Sequence, residues 1–262
     1  MKLISSKSNQ YIKFIRQLRK RKEREKSGKF YIEGLRLIGE ALRTDFPLEK
    51  IIYSSDLLIS DFGWKAIEDG KKKGIDVIEV TGDVFQTFAL KEGPQGIAAV
   101  GFQKWVNIKA IRQPQGLWIA LDNVQDPGNL GTIMRSLDGV GGKGLILLGN
   151  STDAYHPTSV RSSTGAAFSL TIGKTSLKEF RDWKSKEGVP LIGTVCGVAK
   201  NYRKYTYPQD MILLMGSEQK GLSKELIEMC EILVTIPMTG SVDSLNIACA
   251  ASVVLFEIYA KR

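Results

Sequence analysis

The segment MILLMGSEQKGLSKELIEMCEILVTIPMTGSVDSLN, residues 211–246, decides the fold. Its apolar runs predict buried strands at Met211–Met215 and Ile232–Thr235, with a helix between them at Ser223–Cys230. A final helix is predicted over residues 244–260. Strands that alternate with helices favour a parallel sheet with crossover helices, and therefore an α/β fold. Each strand runs into a loop rich in Gly, Ser or Asn, at the sheet edge where ligands bind in such folds.

The same alternation extends back to Leu117, and a separate, smaller α/β unit is predicted between Phe30 and Phe102. Between them, residues 103–116 lack clean periodicity and end in a Gln/Pro/Gly cluster, which is typical of a linker. We therefore expect an N-terminal domain over residues 1–102, a linker over 103–116 and a second domain over 117–262. The strand after the middle helix of the second domain is predicted at Phe168–Ile172.

Composition narrows the class of protein. Of the 262 residues, 43% are hydrophobic and 25% are charged, which is typical of a folded globular chain. No apolar run reaches the ~18–20 residues that a membrane helix needs. Three dispersed cysteines and one histidine favour neither a disulfide framework nor a zinc site. These features predict a cytoplasmic protein without a metal or a membrane partner. The histidine, His156, is interpreted as structural or exposed.

The net charge of +9 is confined to one end of the chain. Residues 1–30 hold 11 basic and 2 acidic residues, and the two kinds are equal in number over the remainder. Such clustering favours a polyanionic partner, nucleic acid above all, although a basic segment that serves only solubility is the alternative.

One helix is predicted from Ser8 to about Lys26. Its apolar face repeats at helical spacing and comprises Tyr11, Phe14, Ile15 and Leu18. Its basic residues, which lie on the other faces, include Lys13, Arg16, Lys20 and Arg24. We expect the basic residues to face outward and to contact phosphates without reading bases.

Three loops hold the candidate functional residues. The first, DNVQDPGN at residues 122–129, contains a Pro-Gly turn, and Asn129 is well placed to cap the helix that carries Arg135. On that reading alone, the loop needs no function. In the third loop, residues 236–246, Ser244 could cap the last helix, which would leave Asn246 as a polar residue at the start of an apolar helix.

The second loop, GSEQKGLS at residues 216–223, nearly matches the phosphate-binding pattern of nucleoside triphosphatases. The lysine that would contact the β- and γ-phosphates is replaced by Leu222, so we reject that class. The glycine cluster at residues 139–144 fails as a dinucleotide-binding motif, because it leads from a helix into a strand.

The three loops together, in this order, resemble the motifs of the SpoU (TrmH) family of the SPOUT superfamily. The matching residues are N-x-G-x-x-x-R at 129–135, L-M-G-S-E-x-x-G at 214–221 and I-P-M-x-G-x-x-x-S-L-N at 236–246. The stretch FYIEGLR at residues 30–36 is similar to the N-terminal substrate-binding domain of the same family. The family methylates ribose 2′-hydroxyls in RNA, with S-adenosylmethionine as the methyl donor.

The resemblance implies a C-terminal SPOUT domain with a parallel sheet and a deep trefoil knot, preceded by a small α/β RNA-binding domain. It also implies that S-adenosylmethionine is bound in the knot, largely through backbone groups. The residues that would hold it are Leu214, Gly216, Ile236, Met238 and Leu245. Close backbone approach explains Gly216, and an apolar wall for the adenine explains Ile236 and Leu245.

The resemblance further implies that Arg135 is central to the reaction. An arginine stays protonated below a pH of about 12, so we expect it to grip a phosphate or polarise the hydroxyl rather than to act as a simple base. The residues that would orient Arg135 and the ribose are Asn129, Glu218, Ser244 and Asn246.

The family's members are homodimers, and the apolar last helix is compatible with a dimer or with a buried core helix. Ribosomal RNA is the favoured substrate, because the N-terminal domain is similar to a ribosomal RNA-binding fold. Transfer RNA is the second choice. A non-catalytic RNA-binding or ribosome-assembly factor is the alternative from another functional class.

Overall fold

The computed structural model describes residues 3–197 and 199–262, and the chain divides into two compact units. The first unit is formed by the chain up to Gln103 together with Tyr155–Phe168, and the second by Lys104–Ala154 and Ser169–Arg262. From the sequence, residues 155–168 are expected in the second domain. The structure differs because aromatic side chains of this segment pack in the first unit. The rings of Tyr155 and Phe30 have centroids 4.7 Å apart, and those of Phe168 and Phe46 are 4.9 Å apart.

The first unit is a mixed four-stranded sheet with helices around it. Its elements in chain order are α1 (Gln10–Gln17), α2 (Arg21–Ser27), β1 (Lys29–Glu33), α3 (Leu35–Arg43), β2 (Leu48–Tyr53), α4 (Asp61–Lys72), β3 (Asp76–Glu79), α5 (Gly82–Gln86) and β4 (Ile97–Phe102). The strand order is β1-β4-β2-β3, with β4 antiparallel to both of its neighbours and β3 parallel to β2. The small α/β unit expected from the sequence is therefore present.

The N-terminal segment forms two helices, so the prediction of one continuous helix is wrong. The predicted apolar face is confirmed in part, because Ile15 and Leu18 are buried in a cluster that includes Tyr31 and Phe85. The expectation that Arg24 faces outward is wrong. Arg24 is 1% exposed and donates from Nη1 to the carbonyls of Leu18 (2.9 Å) and Arg19 (2.8 Å). These carbonyls follow the end of α1, where backbone acceptors have no helical partner.

The second unit is built on an eight-stranded sheet. The elements in chain order, including those of the segment that joins the first unit, are β5 (Trp105–Val106), β6 (Leu117–Asp122), α6 (Pro127–Gly139), β7 (Gly144–Leu148), α7 (Pro157–Ser163), α8 (Ala166–Ser169), β8 (Thr171–Thr175), α9 (Leu177–Glu187), β9 (Leu191–Thr194), β10 (Lys200–Asn201), β11 (Met211–Met215), α10 (Lys224–Glu228), β12 (Ile232–Thr235) and α11 (Ile247–Ala260). Short 3-10 turns occur at Ile108–Ala110 and Tyr202–Lys204.

The predicted parallel sheet is confirmed. The strand order is β10-β12-β9-β11-β6-β7-β8-β5, and every one of these pairs is parallel. The strand predicted at Phe168–Ile172 begins later, at Thr171, because Phe168 lies in α8. One face of the sheet is covered by α9 and α10, through buried side chains such as Phe180, Trp183 and Leu226.

The structure also differs from the predicted linker at residues 103–116. Trp105 and Val106 pair with β8 at the sheet edge. Ile108 and Ile111 are buried in the same apolar cluster as Trp118. These contacts make the segment part of the second unit, although its composition is typical of a linker.

The order of the strands brings the first and second candidate loops together. From β6 the chain proceeds to β7 and β8 on one side, and β9, β11 and β12 lie on the other side. Leu121, the residue before the last in β6, is in register with Met215 at the end of β11. The first and second loops therefore leave the same sheet edge side by side, at the point where the strand order reverses. The trefoil knot stays a prediction.

Candidate active site

The start of α6 places Asn129 in the site rather than at the helix cap. Asp126 is the N-cap, since its carboxylate accepts a hydrogen bond of 2.7 Å from the backbone N–H of Asn129. Pro127 occupies the first helical position, where its missing N–H costs nothing. The prediction that Asn129 caps the helix is therefore wrong. The side chain of Asn129 is therefore free to bind groups outside the helix. The Asp126-Pro127 pair is the sequence signal that places the N-cap at Asp126.

A chain of side-chain hydrogen bonds joins all three loops. Asn129 Nδ2 donates to Glu218 Oε1 over 3.2 Å, and Asn129 Oδ1 accepts from Asn246 Nδ2 over 3.1 Å. These residues are 89 and 117 positions from Asn129 in the sequence. The prediction that Asn129, Glu218 and Asn246 come together is thus supported by direct contacts. The arrangement leaves one carboxylate, Glu218, exposed at the end of a row of oriented amides.

Asn246 has a second role as the N-cap of α11. Its Oδ1 accepts from the backbone N–H groups of Ala248 (2.9 Å) and Cys249 (3.4 Å), while its Nδ2 serves Asn129. The possibility that Ser244 is the cap is therefore wrong. A cap residue normally uses only its side-chain oxygen, so the amide nitrogen of an asparagine remains available for another bond.

Two of the proposed catalytic residues are not in this row of hydrogen bonds. Arg135 lies on α6 and is exposed, and among residues 3–197 and 199–262 it has no hydrogen-bond or ion-pair partner. Ser244 is exposed, and its hydroxyl donates to Asp243 Oδ1 over 3.3 Å. Both groups are therefore available to a substrate.

The residues proposed to bind the cofactor lie on β11 and around the third loop. Leu214 is fully buried in β11, and its carbonyl accepts a hydrogen bond from Thr194 Oγ1 over 3.2 Å. Leu245 is 39% exposed, and Ile236 and Met238 are half-buried. Apolar side chains that remain open to solvent next to backbone groups fit an adenosine-containing ligand such as S-adenosylmethionine.

Gly216 is required by the second loop itself. A Cβ at this position would lie 2.1 Å from the carbonyl carbon of Gly221. The loop turns back at once, because Ser217 and Gly221 exchange backbone hydrogen bonds of 3.2 and 3.0 Å. The sequence suggests that Gly216 lets the cofactor approach the backbone. In the structure, the backbone of Gly221 already lies against Gly216.

Asp122 is a polar residue at this sheet edge that the sequence analysis did not single out. It ends β6 and is 9% exposed. Burial raises the pKa of its carboxyl group, and a hydrogen bond of 2.6 Å from Asn123 Nδ2 opposes that rise. Asn123 has a positive φ of 53°, a conformation that asparagine tolerates better than most residues.

His156 is the N-cap of α7, where its Nδ1 accepts from the backbone N–H of Thr158 over 3.1 Å. Within the described ranges, no group of three or more His, Cys, Asp or Glu side chains is arranged to hold a metal ion. The helices of the same ranges include none that is both long and apolar enough to span a membrane.

Comparison with known proteins connects this geometry to a family. The family model for the SpoU rRNA methylase family matches residues 116–256, and the model for an MRM3-like substrate binding domain matches residues 9–99. Among curated proteins, the chain is 30% identical to the 23S rRNA (guanosine(2553)-2′-O)-methyltransferase RlmP of Bacillus subtilis, over 98% of this chain and 99% of the relative. It is 31% identical to the 23S rRNA (uridine(2479)-2′-O)-methyltransferase of Streptomyces viridochromogenes, over 99% of this chain and 92% of the relative.

The likeness extends to solved structures. An rRNA methyltransferase from Sinorhizobium meliloti, crystallised with bound AdoMet, superposes with a TM-score of 0.90 at 32% identity and covers 99% of this chain and 97% of its own. Both the motif-bearing part and the N-terminal part of the chain are thus matched, and the chain belongs to the SpoU rRNA methylase family.

Proposed function

We propose that this protein transfers a methyl group from S-adenosylmethionine to a ribose 2′-hydroxyl of 23S ribosomal RNA. The observation that carries the proposal is the row of hydrogen bonds Glu218–Asn129–Asn246, which joins the three motif loops in one site. Two relatives of nearly equal identity are named for guanosine 2553 and for uridine 2479. Similarity therefore supports the class of RNA and leaves the nucleotide to be mapped. The ribosomal substrate also supports a cytoplasmic location.

The chain's own residues have to bind the donor, hold the ribose and manage the hydroxyl proton. Leu214 and Gly216 offer backbone groups to S-adenosylmethionine, and Ile236, Met238 and Leu245 offer apolar surface. When bound, this cofactor would supply an electrophilic methyl group on a sulfonium, and a neutral thioether would be the leaving group. The row of oriented amides presents a fixed Glu218 carboxylate to the site. This acceptor positions the ribose hydroxyl without further reorganisation and takes its proton as the oxygen gains the methyl group.

Arg135 and Ser244 complete the site from outside this row. A guanidinium is permanently charged and binds a phosphate with two parallel hydrogen bonds, so Arg135 grips the RNA backbone or polarises the attacking hydroxyl. Ser244 is exposed and its hydroxyl donates to Asp243 Oδ1, and in this proposal it contacts the ribose. Metal chemistry has no part in this proposal.

The test is the substitution Arg135→Ala. We expect it to abolish methyl transfer from labelled S-adenosylmethionine to total RNA, while calorimetry gives an unchanged Kd for the cofactor. Arg181→Ala, an exposed arginine on α9 in the same unit, is the control and should leave both quantities unchanged. Loss of cofactor binding in Arg135→Ala would contradict the assignment. A wild-type protein that binds RNA but releases no methyl group would instead favour the non-catalytic RNA-binding factor.

We also propose that the working form is a homodimer. One face of α11 is buried, through residues such as Ala251, Leu255 and Ile258. The opposite face exposes Val253 (37%), Phe256 (52%) and Tyr259 (59%). The last helix is therefore a core helix on one side. On its other side it offers an apolar surface to a second copy of the chain.

A further inference from the structure

A cavity of about 380 Å³ lies in the first unit, and none of its lining residues belongs to the three motif loops. It is bounded by the end of β1, the start of α3, the loop that precedes β4, and α7. Its apolar wall includes Leu37, Leu90 and Val160. The volume falls within the range of ~300–1,000 Å³ that is usual for small-ligand sites.

Three cations line the cavity. Arg36, Lys91 and Arg161 are exposed, and none of them has a hydrogen-bond or ion-pair partner in the described part of the chain. Glu33 is the acidic residue of the lining, and its Oε2 already accepts from the backbone N–H of Leu90 (2.6 Å) and from the hydroxyl of Tyr31 (3.2 Å). The cavity therefore combines an apolar wall with an excess of positive charge.

The walls are held in place by hydrogen bonds within the unit. The bond from Leu90 to Glu33 ties the loop before β4 to the end of β1. Gln95 Oε1 accepts from the backbone N–H of Leu35 over 3.2 Å, which ties the same loop to the start of α3. A cavity whose walls are already fastened costs little ordering entropy when a ligand enters.

We propose that this cavity binds an unpaired nucleotide of the RNA substrate, with the base against Leu37, Leu90 and Val160 and the adjacent phosphates on Arg36, Arg161 and Lys91. The inference rests on the proposed function, because it takes the substrate to be RNA. An inorganic anion would need the cations but not the apolar wall, and an apolar ligand would need the wall but not the cations. Unpaired bases are the parts of an RNA that proteins can enclose, and arginine matches phosphate geometry.

The test separates the charge from the apolar wall. The double variant Arg36→Gln/Arg161→Gln removes two cations, and Leu90→Trp fills the cavity without a change of charge. Pro94→Phe fills it from the loop and serves if Leu90→Trp melts at a lower temperature than the wild type. The control is Arg43→Gln, because Arg43 is an exposed arginine on the same helix as Arg36 but outside the cavity, where it pairs with Glu40.

The Kd for deproteinised 23S rRNA is measured by filter binding at several salt concentrations. We expect the double variant to raise Kd roughly tenfold and to lower the salt slope of log Kd by about 1–1.5, since each lost phosphate contact removes about 0.7 from the slope with single-stranded RNA. We expect the cavity-filling variant to raise Kd to a similar extent with the slope unchanged. Arg43→Gln should match the wild type.

Three results would overturn the inference. Wild-type affinity in the cavity-filling variant would mean that no base enters. Wild-type affinity in the double variant would mean that no phosphate is held there. Calorimetric binding of AMP, GMP, CMP or UMP, with RNA affinity unchanged in every variant, would make the cavity a small-molecule site. These measurements need no methyl transfer, so a protein that binds RNA but does not methylate it refutes the proposed function and leaves this inference to be judged by Kd alone.

Discussion

Asn129 shows how one residue can link distant parts of a chain. Its backbone is tied into α6 by Asp126, and its amide bridges Glu218 and Asn246. An amide suits this position because it donates on one side and accepts on the other. A carboxylate, a hydroxyl or an aliphatic side chain would lose one of the two bonds or the reach to make both.

This bridging role predicts the behaviour of Asn129→Asp. The new carboxylate would face Glu218 where a hydrogen-bond donor now lies 3.2 Å away, and two carboxylates at that distance raise the pKa of one of them. At high pH both carboxylates are charged, and the hydrogen bond between position 129 and Glu218 is lost. As the pH falls through the raised pKa, a shared proton restores a donor. We therefore expect methyl transfer to be strongly reduced at pH 8 and to recover, relative to wild type, as the pH is lowered.

The measurement for this prediction is the pH profile of kcat for the wild type, Asn129→Asp and Asn129→Ala. Asn129→Ala cannot hold a proton and should show no recovery at low pH. A profile of Asn129→Asp that is parallel to that of Asn129→Ala would contradict the bridging role.

Cys230 provides a second prediction at the residue scale. Burial, and then the nearby Glu231 charge, raise the pKa of its thiol to about 12. The thiolate is the form that reacts, so at pH 8 Cys230 should be alkylated roughly a thousandfold more slowly than an ordinary cysteine. Mass spectrometry after iodoacetamide treatment should find Cys196, which is exposed, modified and Cys230 intact. Equal labelling of both in the native protein would contradict this.

At the scale of elements, the loop after β11 depends on a residue without a side chain. The backbone of Gly221 passes so close to Gly216 that a Cβ there would overlap it. Backbone atoms cannot rotate away as a flexible side chain can. The loop carries Glu218, so its geometry sets the position of the carboxylate in the site.

We therefore expect Gly216→Ala to displace residues 217–221 and to weaken S-adenosylmethionine binding at least tenfold, with a loss of stability of about 1–3 kcal/mol. Gly139→Ala is the matched control. Gly139 ends α6, and a Cβ there would have no other atom within 4 Å, so stability should be unchanged or raised by up to ~1 kcal/mol. Calorimetry and thermal melting measure the two effects. Normal cofactor affinity in Gly216→Ala would refute the account of the loop.

The two N-terminal helices combine a basic surface with a part in the core. Deletion of residues 1–29 would remove Ile15 and Leu18 and expose the rest of their cluster, including Tyr31 and Phe85, so it would test stability together with RNA binding. Substitution of exposed lysines, such as Lys13 and Lys20, tests phosphate contacts alone. A reduced salt slope in those variants, without a change in melting temperature, is the result expected from the clustered charge.

At the scale of the whole molecule, the exposed face of α11 predicts self-association. Phe256→Asp places a charge in the middle of the apolar face. We expect sedimentation velocity to show the wild type at about twice the 29.0 kDa chain mass and the variant at the mass of one chain. Ile59→Asp is the control, because Ile59 is 94% exposed in the first unit and should not alter the mass. A wild-type protein that stays monomeric at micromolar concentration would contradict the proposed homodimer.

The sequence by itself determined most of the elements and the family. The apolar run Met211–Met215 matches β11 residue for residue, because a strand buried on both faces needs an unbroken apolar run. The run Ile232–Thr235 also matches β12, although only Val234 in it is fully buried. The three motifs identified the family and its candidate residues, because they hold glycine, amide and guanidinium groups at fixed spacings along the chain.

Only the tertiary structure decided where distant residues meet. Nothing local to residues 155–168 indicates that they join the first unit, and nothing local to Arg24 indicates that its charge is buried on backbone carbonyls. The bond between Asn129 and Asn246 closes a separation of 117 residues, which exists only because parallel strands bring their carboxyl ends to one edge. Periodicity records which face of an element is buried, whereas the identity of the partner depends on the packing of the whole chain.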